Sequence, residues 1–90
     1  MKRVHVLVKG KVQGVFFRAH MQREARLQAI TGWVRNLADG GVEAVWEGQE
    51  TNLAAMLDWC RKGPPHASVT DVKSSAELYT GEYEDFSIRY

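Results

Sequence analysis

Val4, Val6 and Val8 alternate with His5, Leu7 and Lys9, a period of two that predicts a β-strand near the start of the chain. Gly10 and Gly14 break that pattern. From about Phe17 to Ala29 the residue types favour a helix, and Phe17, Met21 and Ala25 form a narrow apolar stripe beside polar His20, Glu24 and Gln28. Trp33 to Leu37 predicts a second strand, and Asp39-Gly40-Gly41 the tight turn of a hairpin. In the strand that follows, Val42, Ala44 and Trp46 alternate with Glu43, Val45 and Glu47, as in a half-buried antiparallel strand. A second helix carries Leu53, Met56, Leu57 and Cys60 on one stripe. Thr51 is its expected N-cap, Gly63 its expected C′ residue, and Pro64-Pro65 its barrier to continuation. Ser68 to Ala76 reads as a weaker strand around Val69 and Val72, and Phe86, Ile88 and Tyr90 alternate in a closing one.

This order, β-α-β-β-α-β, predicts the α+β class and a ferredoxin-like sandwich, an antiparallel sheet with two helices on one face. Residues 1–90 read as a single domain, without repeats or linkers. In such a split βαβ arrangement the first and second strands run parallel on either side of the hairpin partner. Their carboxyl ends then meet at one edge of the sheet, roughly 9–10 Å apart.

Composition narrows the function classes. One cysteine excludes an internal disulfide and a multi-cysteine metal site. No apolar stretch reaches membrane-spanning length, and the apolar run in MKRVHVLVKG is too short for a signal peptide, so a cytoplasmic protein without a membrane partner is expected. The net charge of +1 speaks against a general nucleic-acid binder. It hides an asymmetry, because residues 1–35 hold eight basic side chains and one acid, whereas residues 36–90 hold four basic and ten acidic ones. Either the basic part steers a small anion, or the two parts interleave and cancel.

Gly10-Lys11-Val12-Gln13-Gly14-Val15-Phe16-Phe17-Arg18 joins the first strand to the first helix. Amides at a helix start lack internal partners and carry the positive end of the helix dipole, so a glycine-bearing turn there can wrap them around an anion such as phosphate. Arg18 adds a planar, permanently charged fork that fits two phosphate oxygens. A plain tight turn with a surface arginine fits the same residues. The segment lacks the lysine and hydroxyl residue of a Walker site and the spacing of a dinucleotide fingerprint. Asn36, near the end of the second strand, is placed either to face this loop and hold a water or to serve as an ordinary turn asparagine.

The segments Gly10-x-Val12-Gln13-Gly14-Val15-x-Phe17-Arg18 and Gly32-Trp33-Val34-Arg35-Asn36-x-x-x-Gly40-x-Val42-x-x-x-x-x-Gly48 resemble the two signature stretches of the acylphosphatase family. The resemblance spans essentially the whole chain, including the aromatic-x-Ile-Arg-Tyr ending. Leu37 stands where some members carry a hydroxyl residue. The resemblance implies hydrolysis of a carboxyl–phosphate anhydride to a carboxylate and inorganic phosphate, with no metal and no cofactor. By the same analogy, Arg18 and the backbone amides of Gly14, Val15, Phe16, Phe17 and Arg18 bind the phosphoryl group, and Asn36 orients the attacking water. The expected partners are an acyl phosphate as substrate and inorganic phosphate as product and inhibitor, with the protein a monomer.

Other reactive residue types are expected to be structural. Cys60 sits on an apolar stripe, His5, His20 and His66 show no metal-ligand spacing, and Glu82, Glu84 and Asp85 read as a solvated strand edge. Trp33, Trp46 and Trp59 read as packing residues. The same element order also builds RNA-recognition modules, but the strand GVEAVWEG lacks their aromatic signature and carries two glutamates that would repel phosphate. A third possibility, a regulatory domain that binds the anion without turnover, is disfavoured by the joint presence of Arg18 and Asn36.

Overall fold

In the computed structural model, which describes every residue from Met1 to Tyr90, β1 (Lys2–Lys11) leads through a loop into α1 (Phe17–Leu27). There follow β2 (Thr31–Asn36), β3 (Val42–Gly48), α2 (Glu50–Lys62), β4 (Ser68–Glu77) and β5 (Phe86–Arg89). The strands form one sheet in the order β4-β1-β3-β2-β5. β3 lies between β1 and β2 and runs antiparallel to both, so β1 and β2 point the same way. Both helices pack on one face, as the ferredoxin-like reading requires. The sheet is mixed rather than wholly antiparallel, because the chain ends in a fifth strand laid parallel to β2.

The core lies between that face and the helices. Val6, Val8, Val34, Val42, Ala44, Trp46 and Phe86 meet Phe17, Met21 and Ala25 of α1 and Leu53, Met56 and Cys60 of α2. Removing this apolar surface from water is the main favourable term in folding. Phe17 also meets Trp59 edge-on, with ring centroids 5.6 Å apart, which ties α1 to α2.

β3 departs from the half-buried reading. Val45 and Glu47, on the face away from the helices, are buried as well, and Glu47 is 0% exposed. The segment linking β4 to β5 must cross the sheet from one edge to the other, and it covers this face on the way. Glu47 accepts hydrogen bonds from Thr80 N at 3.0 Å, Thr80 Oγ1 at 3.1 Å and Gly81 N at 3.2 Å, with Arg3 Nη1 at 3.5 Å. A buried carboxylate is tolerable only when so satisfied. The acidic stretch after it is therefore a loop, not a strand edge. Glu82 accepts from Arg3 Nη1 at 2.9 Å, and Asp85 from Arg26 Nη2 at 2.8 Å.

Element ends shift by a few residues, each for a local reason. α1 stops two residues before Ala29, which turns left-handed at φ 55° while Ile30 N bonds to Ala25 O at 2.8 Å. That closes the helix in a Schellman motif without a glycine. β2 spans 31–36 instead of 33–37, and the hairpin loop takes five residues, Leu37 to Gly41. α2 begins after Gln49, whose extended backbone lets its carbonyl accept from Leu53 N at 2.9 Å, so Thr51 is a helix residue and no side chain caps this end. Gly63 ends α2 as expected. β1 continues through Gly10, where a bulge shifts its register against β4 and a Cβ would collide with Ser68 O.

Glu47→Ala removes the buried carboxylate that accepts from Thr80 and Gly81 and should destabilise the fold by about 1.5–3 kcal/mol in urea unfolding. A loss below about 1 kcal/mol would show that the carboxylate does not hold the crossing segment down.

Candidate active site

The register of the sheet fixes where the two sequence motifs meet. Val8 of β1 and Asn36 of β2 both pair with Val42 of β3, so Asn36 lies level with the last turns of β1 before the loop begins. On the other side of β2, Arg89 pairs with Arg35, and Tyr90 therefore leaves β5 at the same sheet edge as Asn36.

The loop from Val12 to Phe16 is shaped by two residues of positive φ. Gly14, at φ 75°, has open space around the position of a Cβ, so backbone conformation and not crowding calls for glycine there. Phe16, at φ 60° and ψ 28°, occupies the left-handed region immediately before α1, an uncommon state for an aromatic residue. The turn leaves its amides free. Gly14, Val15 and Phe16 donate no backbone hydrogen bond, and the first amide to find an acceptor is His20 N, to Phe16 O at 3.0 Å. Phe17, Arg18 and Ala19 thus have no i−4 partner, as at any helix start. No acidic residue occupies the first turn of α1 to offset the positive dipole end.

A concavity of about 240 Å³ opens at this point, lined by Val12, Gly14, Phe16, Phe17, Arg18 and Asn36. The structure therefore brings Arg18 and Asn36 to one site together with Gly14, Phe16 and Phe17. Val15 is different: its side chain turns into the core and does not line the concavity, which leaves only its backbone to the site. A second concavity, about 410 Å³ between α2 and the β1 and β4 strands, is larger but contains none of these residues and has Glu50 and Glu77 in its wall.

Arg18 joins none of the ion pairs of the protein, which involve Arg3, His5, Arg26, Arg35 and Arg61. Its guanidinium carbon lies 4.9 Å from the centroid of the Tyr90 ring, a cation–π contact that leaves the N–H fork uncommitted. The Asn36 amide makes no hydrogen bond within the chain, although its neighbours Gln13, Arg35 and Trp33 do. Gln13 Nε2 donates to Leu37 O at 2.7 Å and Gly41 O at 2.8 Å. One amide group thereby ties the loop before α1 to both ends of the hairpin loop that follows Asn36. Nothing in the composition or periodicity pointed to this contact, to Val12 as a wall or to Tyr90 against Arg18.

The charge asymmetry of the sequence cancels in space only in part. Arg3, Arg26 and Arg35 pair with acids of the second part of the chain, whereas Lys9, Lys11 and Arg18, which flank the loop, have no such partner. Glu43 of β3 accepts from His5 Nε2 at 2.7 Å and from Arg35 Nε at 2.6 Å. The His5 hydrogen bond, followed by that of Arg35, holds its carboxyl below the usual range. The glutamates of β3 are thus compensated and do not present the free repulsive charge that the sequence suggested. On their face Trp33 is 9% exposed, with Arg89 at 4.4 Å and Arg35 at 5.7 Å from its ring, so this ring is not free to stack on a nucleic-acid base. Burial pushes the Cys60 thiol up to about 12, far from a reactive thiolate. No group of three His, Cys, Asp or Glu side chains is arranged to hold a metal ion, and no helix is long and apolar enough to cross a membrane.

A sequence model of the acylphosphatase family matches residues 4–88. The acylphosphatase of Syntrophus aciditrophicus is 58% identical over 90 residues, covering all of this chain and 94% of that one. The crystal structure of acylphosphatase from Bacillus subtilis superposes with a TM-score of 0.96 at 37% identity, over the full length of both chains. An acylphosphatase structure from Coxiella burnetii gives 0.92 at 40% identity, over 98% of this chain and 92% of that one.

Gln13→Ala removes two neutral hydrogen bonds and should cost about 1–3 kcal/mol in urea unfolding. Gln13→Glu should cost more, since it sets a carboxylate against two carbonyl oxygens. Equal stability of the two variants would show that the double donation does not hold the loops together.

Proposed function

The chain belongs to the acylphosphatase family and hydrolyses acyl phosphates; we propose that Arg18 and the backbone amides of Gly14, Val15, Phe16, Phe17 and Arg18 bind the phosphoryl group while Asn36 orients the attacking water. The observation that carries this reading is the meeting of Arg18, Asn36 and a run of unpaired N–H groups at one concavity. A phosphoryl group carries spread negative charge and asks mainly for positioned donors and cations, with little covalent work. Arg18 supplies the cation, and the unpaired amides and the Asn36 side chain supply the positioned polar groups.

In the proposed step the water oxygen bonds to phosphorus as the bond to the acyl oxygen breaks. The bonding pair leaves with the carboxylate. The proton of the water passes to a phosphate oxygen, giving inorganic phosphate. A carboxylate is a weak base, so its departure needs no general acid, in keeping with a site that has no histidine, cysteine or carboxylate in its wall. The product resembles the transferred group and inhibits by occupying the same donors. The reaction proceeds without a metal or cofactor, in a cytoplasmic monomer whose active unit is residues 1–90.

Phosphate release from benzoyl phosphate and acetyl phosphate in the presence of EDTA tests this directly. Arg18→Gln should lose roughly 100- to 1,000-fold in kcat/KM. Asn36→Ala should lower kcat while inhibition by inorganic phosphate stays within about twofold. Weakened phosphate inhibition with normal turnover in Asn36→Ala would exchange the two roles, and abolition of turnover by EDTA would refute the metal-independent step.

A further inference from the structure

Phe16 is 79% exposed and lines the concavity, yet it holds a left-handed backbone that a smaller residue would adopt more readily. The other apolar residues of the wall, Val12 and Phe17, are almost wholly buried and belong to the core. The ring of Phe16 is therefore the one apolar side chain at the site that is free to meet a ligand.

Resting on the reaction proposed above, the geometry points to Phe16 as the residue that selects the acyl group: its ring packs against the departing acyl moiety and favours acyl phosphates with aromatic or bulky apolar acyl groups over acetyl phosphate. In an in-line displacement the leaving oxygen lies opposite the attacking water. With that water at Asn36, the acyl group departs on the side of the loop and the start of α1. Of the wall residues there, Gly14 has no side chain and Arg18 is committed to the phosphoryl group, which leaves Phe16. A flat apolar ring at the mouth of a charged cradle offers stacking to an aryl group and almost nothing to a methyl group. The contact concerns the part of the substrate that the phosphate donors do not touch, so it discriminates among acyl phosphates without altering what the cradle does for each of them.

The test is the ratio of kcat/KM for benzoyl phosphate to that for acetyl phosphate. Disturbance of the shared cradle cancels in this ratio. Phe16→Gly is the primary variant, because glycine accepts the left-handed backbone and the loop keeps its shape; Phe16→Ala is the second. The wild type should favour benzoyl phosphate, and both variants should lower the ratio about three- to tenfold. Phe16→Tyr, which keeps the ring, should retain the wild-type ratio. An unchanged or raised ratio in Phe16→Gly and Phe16→Ala would overturn the assignment of Phe16 and leave the proposed reaction standing. Absence of turnover of either substrate by the wild type would instead overturn the reaction itself, and the inference with it.

Discussion

Six consecutive backbone amides, from Gly14 to Ala19, find no acceptor within the chain, and the surrounding structure keeps them that way. Unpaired donors are costly when buried and tolerable when they face water or an anion. Gly14, Phe16, Phe17 and Arg18 of this run line an open concavity, at a helix end whose first turn contains no acid. Left-handed backbone at Gly14 and Phe16 turns the loop, and the core seats Val12, Val15 and Phe17 beneath it. Gln13 fixes the loop against the hairpin that carries Asn36. Local strain and ordinary packing are thus spent on holding donors that no protein group uses.

The rest of the fold serves that arrangement by delivering partners to one edge of the sheet. Placing β3 between β1 and β2 brings the loop and Asn36 to the same end, about two strand spacings apart. The parallel pairing of β5 with β2 brings Tyr90 to that end as well, where its ring supports the Arg18 guanidinium. This depends in turn on the crossing segment that Glu47 anchors from beneath. Arg3, Arg26, Arg35 and Arg61 are paired with carboxylates, whereas Arg18 joins no ion pair and stands as a cation where the free amides are.

Much of this was legible in the sequence, and the misses have identifiable causes. Alternation in Val4 to Lys9 and the stripe from Leu53 to Cys60 reported burial on one face, so strands and helices were found in their correct order. The end of α1 was misplaced because Ala29 takes the left-handed position usually given to glycine, and the start of α2 because Gln49 caps through its backbone alone. Glu47 was misread as solvated since its partners, Thr80 and Gly81, come from a segment with no periodicity of its own. At the site, Arg18, Asn36 and the glycines stood out by residue type and by the resemblance of their motifs. The contacts of Gln13 and Tyr90 did not, because they span 24 or more residues of sequence and arise only from the register of the sheet.

The central claim is that the free amides form the receptacle for phosphate, and it can be watched amide by amide. Titrating inorganic phosphate into ¹⁵N-labelled protein should move the backbone N–H resonances of Gly14 to Arg18 together, along with the Arg18 side-chain signals, with one shared dissociation constant equal to the inhibition constant. Those amides remaining still while resonances elsewhere shift, or shifting with a constant unrelated to inhibition, would contradict the account.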